Sequence, residues 1–237
     1  MSLPVVILAG GLGTRLGEIT KAIPKALVEV NGEPFLAHQL RLLRTNGIER
    51  VVMCVSHLGE MIRDYAGDGS AFGLRLDYCF DGPSLLGTAG AIRKALPLLD
   101  GSFFVLYGDS YLPCDYGFAA RSFEQSSKLG LMTVYRNESQ WDSSNVEFAG
   151  GKIVAYDKNS KSLRMRYIDY GLGVFRRSVF QDLRAGELFD LAKLYQELLV
   201  QGELAACEVS QRFYEIGSVN GLKELSEYLA SRENKSL

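Results

Sequence analysis

The sequence predicts an α/β fold built on a mostly parallel central sheet, and three observations support this. Short apolar runs typical of buried parallel strands alternate with amphipathic segments through the first half of the chain. A glycine-rich turn follows the first apolar run, as at a strand-to-helix connection. The chain has 237 residues, 47% of them hydrophobic, which is enough to bury one full core.

The elements of the first half follow from these patterns in chain order. Residues 34–46 illustrate the helical pattern, with apolar side chains at Phe35, Leu36 and Leu40, and Gly47 as a stop. The resulting β-α-β order implies right-handed crossovers onto one sheet. The predicted strands are residues 3–8, 50–55, 74–79 and 102–106, and the predicted helices are residues 34–46, 57–65 and 88–96.

The second half changes character. Its strands are joined by short turns such as Gly150-Gly151, which predicts a small antiparallel extension that carries a second ligand. Ser218 is the expected N-cap of the last helix. No linker, low-complexity segment or repeat divides the sequence, so one domain over residues 1–237 is expected. The predicted strands are residues 130–135, 146–148, 152–156 and 172–175, and the predicted helices are residues 190–199 and 219–231.

Residues 8–25, LAGGLGTRLGEITKAIPK, carry the strongest functional signal. Three glycines (Gly10, Gly11 and Gly13) can bring bare backbone N–H groups against a polyanion, and Arg15 and Lys25 add two cations. A nucleoside triphosphate needs this combination. The P-loop pattern is absent, and Leu16 stands where a dinucleotide fingerprint requires its third glycine. A glycine-rich turn without a ligand is the alternative.

This stretch resembles the signature of the sugar-1-phosphate nucleotidyltransferases. Within that family its sequence is most similar to the heptose- and mannose-1-phosphate guanylyltransferases. Counterparts of the family's later motifs follow in order: Leu86-Gly87-Thr88-Ala89-Gly90, Tyr107-Gly108-Asp109, Ala155-Tyr156-Asp157-Lys158, Tyr170-Gly171-Leu172 and Tyr214-Glu215-Ile216-Gly217-Ser218. The resemblance implies a Rossmann-like three-layer sandwich with a mixed, mostly parallel central sheet and a small antiparallel extension for the sugar side. It implies no C-terminal β-helix domain, since no hexapeptide array follows residue 217.

The implied reaction joins a sugar 1-phosphate, a hexose or heptose, to a nucleoside triphosphate, with GTP favoured, and releases pyrophosphate. Positioning and charge neutralisation carry most of the catalysis in phosphoryl transfer, so no general base is required. Arg15 and Lys25 are the expected catalytic cations, and Asp109 ends an apolar strand-like run where a carboxylate needs a cation. Mg²⁺ suits that position. Glu215 stands where the family has aspartate, so its role is either a shifted or water-mediated metal contact or none.

The resemblance also assigns binding residues. The structural alternatives are that Gly87 and Thr88 only begin a helix, and that Asp157 and Lys158 belong to a solvated charge cluster. The expected nucleotide contacts are Leu8, Ala9, Gly10, Gly11, Gly13, Thr14, Gly87, Thr88 and Gly108. The expected sugar-phosphate contacts are Asn145, Asp157, Lys158, Asp169 and Gly171.

Composition limits the partners. A net charge of −2 argues against nucleic acid or an anionic membrane. The absence of a signal peptide and of a long apolar run predicts a cytoplasmic protein, and a homodimer is common in the family. His38 and His57 are interpreted as structural. The widely spaced cysteines are interpreted as free thiols: Cys54, Cys79, Cys114 and Cys207.

Two other functions remain open. A cytidylyl- or uridylyltransferase acting on another phosphorylated acceptor, such as phosphocholine or a phosphonate, would keep the fold. A non-catalytic nucleotide-sugar sensor would be expected to lose Arg15, Lys25 or Asp109, and all three are present. A glycosyltransferase would show a D-x-D motif, which Asp109-Ser110-Tyr111 does not match.

Overall fold

A mixed sheet of nine strands forms the centre of the computed structural model, counted over the residues that it describes, 2–11, 22–56, 58–82 and 86–233. The strands in chain order are β1 (Val5–Leu8), β2 (Glu29–Val30), β3 (Glu33–Pro34), β4 (Arg50–Val55), β5 (Arg75–Phe80), β6 (Ser102–Tyr107), β7 (Ser110–Tyr111), β8 (Gly130–Arg136), β9 (Val146–Ala149), β10 (Lys152–Tyr156), β11 (Tyr167–Arg176), β12 (Leu204–Val209) and β13 (Tyr214–Glu215). The helices are α1 (Phe35–Thr45), α2 (Gly59–Ala66), α3 (Gly87–Ala95), α4 (Tyr116–Ser126), α5 (Leu191–Val200) and α6 (Val219–Glu233).

The sheet runs in the order β10-β9-β11-β6-β1-β4-β5, and β8 joins β11 to β12. Strands β6, β1, β4 and β5 are mutually parallel, and β11 lies antiparallel to β6. The register places Leu8 opposite both Cys54 and Tyr107. The carboxyl ends of the central strands therefore lie at one edge of the sheet, where ligands bind in such folds.

Two apolar clusters cover the two faces of the sheet. Val5 and Ile7 of β1 face the cluster that contains α1, α2 and α4, while Val6 faces the cluster that contains α3 and α5. The alternation follows from the two-residue period of a strand. A third cluster packs α6 against β2, β7 and β13. The predicted three-layer sandwich with a mixed, mostly parallel sheet is confirmed.

Two longer elements, helix α4 and strand β12, were not predicted from the sequence, and neither were the two-residue strands β2, β3, β7 and β13. Helix α4 buries Tyr116, Ala119 and Phe123 at helical spacing, and the Asp115 carboxylate caps it by accepting from the Phe118 N–H at 2.9 Å. Strand β12 pairs in parallel with β8, so the second half of the sheet is not purely antiparallel. Strand β11 is also longer than predicted, because its first residues extend to the edge where β6 ends.

The other boundaries lie close to the predictions. Strands β4 and β10 have the predicted bounds. Ser218 Oγ accepts a hydrogen bond from the Gly221 N–H at 2.9 Å, as expected of an N-cap. Among the described residues, the four cysteines are free and buried, and no helix has the length and apolar character needed to cross a membrane. His57 lies outside the described residues, and His38 Nε2 contacts the Val30 carbonyl at 2.8 Å, which fits a structural role.

Candidate active site

The turn after β1 lies between the ends of β4 and β6. The Ala9 N–H donates to the Cys54 carbonyl at 2.8 Å, and the Gly108 N–H donates to the Leu8 carbonyl at 2.9 Å. A Cβ atom on Gly108 would lie 2.9 Å from Ala9 Cα, so glycine is required for this approach. The predicted nucleotide contacts Leu8, Ala9 and Gly108 are thus brought together.

The next residues of the turn differ in their surroundings. A Cβ on Gly10 would meet Ser56 and Asp81 at 3.2 Å, whereas Gly11 is exposed and has open space around it. The predicted contacts Gly13, Thr14 and Arg15 lie outside the described residues. Their roles stay predictions from the sequence.

Lys25 and Asp109 form an ion pair across 84 residues of sequence, with Lys25 Nζ 2.6 Å from Asp109 Oδ2. Their side chains are 12% and 30% exposed, so the pair is partly shielded from water but open to a ligand. Lys25 begins a 3-10 turn, Lys25–Leu27, directly after Pro24, and Asp109 follows the end of β6. The structure brings two predicted catalytic residues into contact at the carboxyl-end edge of the central parallel strands.

Gln39 is a site residue that the sequence analysis missed. It is 1% exposed on α1, and its Nε2 donates to the Tyr107 carbonyl at 3.1 Å and the Ser110 carbonyl at 2.8 Å. These two carbonyls flank Gly108-Asp109, so Gln39 holds the segment that carries the carboxylate. A polar residue within the apolar stripe of α1, between Leu36 and Leu43, was the available signal.

Asp81 is a second missed residue. It follows β5 as Asp109 follows β6, and its side chain is buried, with the residue only 8% exposed. Among the described residues, Asp81 Oδ1 has no hydrogen-bond partner. Burial raises the pKa of this carboxyl, and the nearby Lys94 ammonium opposes the rise. A buried acceptor beside the turn at Gly10 is a feature that a ligand's N–H groups would satisfy.

Glu215 lies next to Asp109 through its backbone rather than its carboxylate. Residue 215 pairs with Ser110, and the Ile216 N–H donates to the Asp109 carbonyl at 3.0 Å. The Glu215 carboxylate accepts from Ser218 Oγ at 2.9 Å and from the Gly217 N–H, at the start of α6. Within the described residues, no group of three or more His, Cys, Asp or Glu side chains forms a metal site. A metal role for Glu215 stays a prediction.

Gly87 and Thr88 begin α3, as the structural alternative expected. Thr88 Oγ1 accepts from the Leu191 N–H at 2.6 Å, and the Phe189 carbonyl accepts from the Ala89 N–H at 2.9 Å. Gly87 has a φ of +70°, and a Cβ there would lie 2.6 Å from the Phe189 oxygen. These contacts join α3 to the start of α5, and contact with a base stays a prediction.

Asn145 organises the expected sugar side. Its carbonyl accepts from the Asp157 N–H at 3.0 Å, and its Oδ1 accepts from the Asp169 N–H at 2.9 Å. Lys158 Nζ lies 3.4 Å from the Tyr107 hydroxyl and 5.3 Å from the centre of that ring. Tyr107 ends β6 two residues before Asp109, so Lys158 contacts the strand end that leads to Asp109.

The carboxylates of this group differ in their surroundings. Asp169 Oδ1 accepts from the Gly171 N–H at 3.1 Å, and Oδ2 accepts from the Tyr156 hydroxyl at 3.2 Å. Burial raises the pKa of Asp169, and the Lys158 ammonium opposes the rise. Gly171 has a φ of +98° and lies in an irregularity of β11 between Asp169 and Gly173.

Asp157 is engaged by its own turn. Its Oδ1 accepts from the Asn159 N–H at 2.7 Å and the Ser160 N–H at 2.9 Å. These two hydrogen bonds lower the pKa of the Asp157 carboxyl, since they favour its charged form. This geometry is that of a turn-forming aspartate, and contact with a sugar hydroxyl stays a prediction.

The chain is similar to proteins of known activity over most of its length. It is 30% identical over 213 residues to the D-glycero-α-D-manno-heptose 1-phosphate guanylyltransferase of Campylobacter jejuni, covering 90% of this chain and 93% of that protein. It is 28% identical over 250 residues to the UTP–glucose-1-phosphate uridylyltransferase of a Synechocystis species, covering 98% of this chain and 64% of that protein.

A shorter match has higher identity. The chain is 42% identical over 105 residues to the CMP-5'-(3-aminopropyl)phosphonate synthase of Streptomyces rubellomurinus, covering 44% of this chain and 17% of that protein. Among solved structures, HddC from Yersinia pseudotuberculosis superposes with a TM-score of 0.81 at 23% identity, covering 96% of this chain and all of that one. This likeness shows the fold.

The chain also matches a protein-family model over nearly its whole length. The model described as nucleotidyl transferase matches residues 4–232, a range that contains every predicted site residue. The resemblance stated from the motifs is thereby confirmed. From the span of this match and the 30% identity to a relative that it covers almost completely, the chain belongs to the nucleotidyl transferase family.

Proposed function

We propose that this protein condenses a sugar 1-phosphate with a nucleoside triphosphate to give a nucleotide-sugar and pyrophosphate. The observation that carries the proposal is the Lys25–Asp109 ion pair at the end of β6, the strand whose last residue, Tyr107, contacts Lys158 on the expected sugar side. Two anionic reactants would meet there, each beside a cation. The second pKa of a phosphate monoester is near ~6, so the attacking oxygen is largely ionised at neutral pH without a base.

In the proposed step, a phosphate oxygen of the sugar 1-phosphate forms a bond to the α-phosphorus, and the bond to the pyrophosphate oxygen breaks. Lys25 neutralises charge that develops on the phosphoryl oxygens, and Lys158 holds the attacking phosphate. Asn145 and Asp169 orient the sugar hydroxyls. Effects of this kind, positioning and electrostatic stabilisation, account for most of the catalysis in phosphoryl transfer.

Mg²⁺ is the cofactor that fits the donor set. Mg²⁺ uses one or two carboxylates and completes its shell with phosphate oxygens and water. Asp109 supplies a partly exposed carboxylate at the strand end, and Glu215 is adjacent through the backbone. When bound, the ion would neutralise phosphate charge, with Asp109 holding it directly and Glu215 through water, since the Glu215 oxygens already bond the start of α6.

Asp81 supports GTP as the nucleotide. Guanine offers two neighbouring N–H donors on its Watson–Crick edge, and a carboxylate accepts two such bonds. Asp81 Oδ1 has no partner among the described residues, and Asp81 Oδ2 would lie 3.2 Å from a Cβ on Gly10, so this acceptor adjoins the turn proposed to hold the nucleotide.

The test is pyrophosphate release measured with the purified protein, Mg²⁺, four nucleoside triphosphates and a panel of hexose and heptose 1-phosphates. We expect release that requires both a sugar 1-phosphate and a nucleotide, highest with GTP. If no acceptor in the panel supports pyrophosphate release, the result would contradict the proposal and favour a sensor of nucleotide-sugars.

A second candidate keeps the fold and changes the acceptor. The 42% identity to a phosphonate-activating synthase over 105 residues favours including CTP with phosphocholine and an aminoalkyl phosphonate in the panel. If only CTP with one of these two acceptors is turned over, the acceptor is a phosphonate or phosphocholine and not a sugar 1-phosphate. We also propose, from the family, a cytoplasmic location and a homodimer. Cell fractionation tests the location, and size-exclusion chromatography with light scattering tests the oligomeric state.

Asp81→Asn tests the nucleotide preference. The substitution replaces one carboxylate acceptor by an N–H₂ donor, which guanine donors do not match, so kcat/KM for GTP should fall about 10- to 100-fold. The corresponding value for UTP should change much less. An equal loss with both nucleotides would show that Asp81 does not contact the base.

A further inference from the structure

Trp141, the single tryptophan of the chain, packs against Arg212. The Arg212 guanidinium carbon lies 3.3 Å from the centre of the Trp141 ring and 4.8 Å from the centre of the Tyr214 ring. Arg212 also forms an ion pair with Glu224 of α6. A planar guanidinium that contacts two aromatic rings and a carboxylate is restricted in its orientation. We name this contact of Trp141, Arg212, Tyr214 and Glu224 the arginine clamp.

Trp141 lies in a loop, residues 137–144, that is held together by hydrogen bonds between its own residues. Asn137 is fully buried, and its Nδ2 donates to the Asp142 carbonyl at 2.6 Å and to Ser144 Oγ at 3.1 Å. The Trp141 N–H donates to Asn137 Oδ1 at 3.3 Å. The loop follows β8 and leads directly into Asn145. The loop is thus one hydrogen-bonded unit that ends at Asn145.

The other side of the clamp leads to the carboxylate side of the site. Tyr214 pairs with Tyr111, and Glu215 pairs with Ser110, the residue after Asp109. Glu224 lies on α6, and the two residues directly before this helix, Gly217 and Ser218, donate to the Glu215 carboxylate. Arg212 thus contacts one element that borders Asp109 and one element that positions Asn145.

From these contacts we propose that Arg212 is a positioning residue that locks the 137–144 loop to α6 and so fixes Asn145 against the sugar 1-phosphate. The proposal rests on the proposed function for its substrate. Arg212 touches neither reactant in this arrangement. It acts through Asn145, which bonds the backbone of both Asp157 and Asp169.

The clamp depends on the planar shape of arginine. Arg212 Nε is buried without a hydrogen-bond partner among the described residues, so the two rings and Glu224 hold the guanidinium. Lysine keeps the charge but cannot stack as a plane, and methionine keeps the length without the charge. The variants Arg212→Lys and Arg212→Met separate the two contributions.

The kinetic test compares these variants with Arg136→Met, which removes an exposed ion pair to Glu138 at the base of the same loop. We expect Arg212→Met to raise KM for the sugar 1-phosphate about 10-fold, the size of a desolvated cation–π contact. KM for the nucleotide should change less than twofold, Arg212→Lys should recover part of the loss, and Arg136→Met should behave as wild type. Equal effects on both KM values would overturn the proposal.

Two further measurements do not need turnover. The fluorescence of Trp141 reports this contact alone, so Arg212→Met should shift its emission to longer wavelength as the ring gains exposure. Hydrogen exchange should accelerate at the Asp157 and Asp169 amides, whose acceptors belong to Asn145. Unchanged exchange there in a folded Arg212→Met protein would contradict the coupling, whatever the activity.

These results separate the two proposals. If the wild type turns over no acceptor but exchange accelerates in Arg212→Met, the proposed function fails and the coupling of the clamp to Asn145 stands. If Arg212→Met does not fold, Trp141→Ala, which removes a ring that is 43% exposed, should give the same exchange pattern and the same rise in KM for the acceptor. A folded Trp141→Ala protein with wild-type exchange and KM would then overturn the proposal.

Discussion

At the residue scale, individual side chains serve the fold and the site together. Lys25 neutralises Asp109 in the structure and is also the cation proposed to act on the phosphates. The Glu215 carboxylate, in contrast, accepts from Gly217 and Ser218, the two residues directly before α6, and these contacts indicate a structural contribution. Charged groups at a site must be distinguished by their partners rather than by their place in a motif.

Replacing Lys25 by methionine should lower kcat by about 10²–10³, comparable to the loss of one electrostatic donor in a preorganised site. Thermal unfolding and steady-state pyrophosphate release check this. Arg41→Met is the matched control, since Arg41 and its partner Glu33 form an ion pair whose side chains are 55% and 44% exposed. A Lys25→Met enzyme within threefold of wild type would refute the assignment.

The raised pKa of the Asp169 carboxyl predicts that the stability of the fold depends on pH. Burial raises its pKa in the folded protein above that of the unfolded chain. Such a carboxyl makes its whole contribution to the free energy of unfolding at a pH below its pKa in the unfolded chain. The contribution is lost as the pH rises through its pKa in the folded protein. The free energy of unfolding of wild type relative to Asp169→Asn should therefore fall as the pH rises from the acid side, measured by urea denaturation. A difference that grows with pH would contradict the assigned direction.

At the scale of elements, the site depends on connections between segments distant in the sequence. Helix α1 supplies Gln39 to the loop after β6, and the segment before α5 closes the start of α3. Both contacts use backbone groups at the ends of elements, where partners outside the element are needed. The precision of the site therefore rests on these junctions as much as on the reacting side chains.

Gly87→Ala tests the junction of α3 and α5, and Gly150→Ala is its control. Both glycines have positive φ, +70° and +59°, so alanine is strained at each. Only Gly87 has a neighbour in the way, since an added Cβ would lie 2.6 Å from the Phe189 oxygen, whereas nothing lies within 4 Å of a Cβ added to Gly150. Gly87→Ala should lose about 1–3 kcal/mol more in the free energy of unfolding. If urea titrations give equal losses in the free energy of unfolding for the two variants, the contact with Phe189 does not add to the effect of the Gly87 substitution.

At the scale of the whole molecule, the sheet brings both halves of the chain to one edge. Strands β1, β4 and β6 carry the turn and Asp109 there, and antiparallel β11 brings Asp169 to the same edge. Two apolar clusters on opposite faces hold the sheet that fixes this arrangement. Rigid placement of two anion-binding groups is what a transfer between two phosphates requires.

Nucleotide binding should stabilise the whole fold through mass action. A ligand at 100 times its Kd adds about 2.7 kcal/mol to the free energy of unfolding. GTP with Mg²⁺ should raise Tm, a chelator should remove most of the rise, and Asp109→Asn should not respond to Mg²⁺. Scanning calorimetry measures each. A rise in Tm that is the same with and without Mg²⁺ would argue against a metal held by Asp109.

The sequence by itself determined the α/β order and the bounds of β4 and β10, because strand periodicity is a local property. Only the tertiary structure showed the hydrogen bonds of Gln39, the buried position of Asp81 beside Gly10, and the contacts of Arg212 with Trp141 and Glu224, because each depends on groups brought close by folding. Gln39 is 68 residues from Tyr107 in the chain, and a hydrogen bond over that distance leaves no periodic signal.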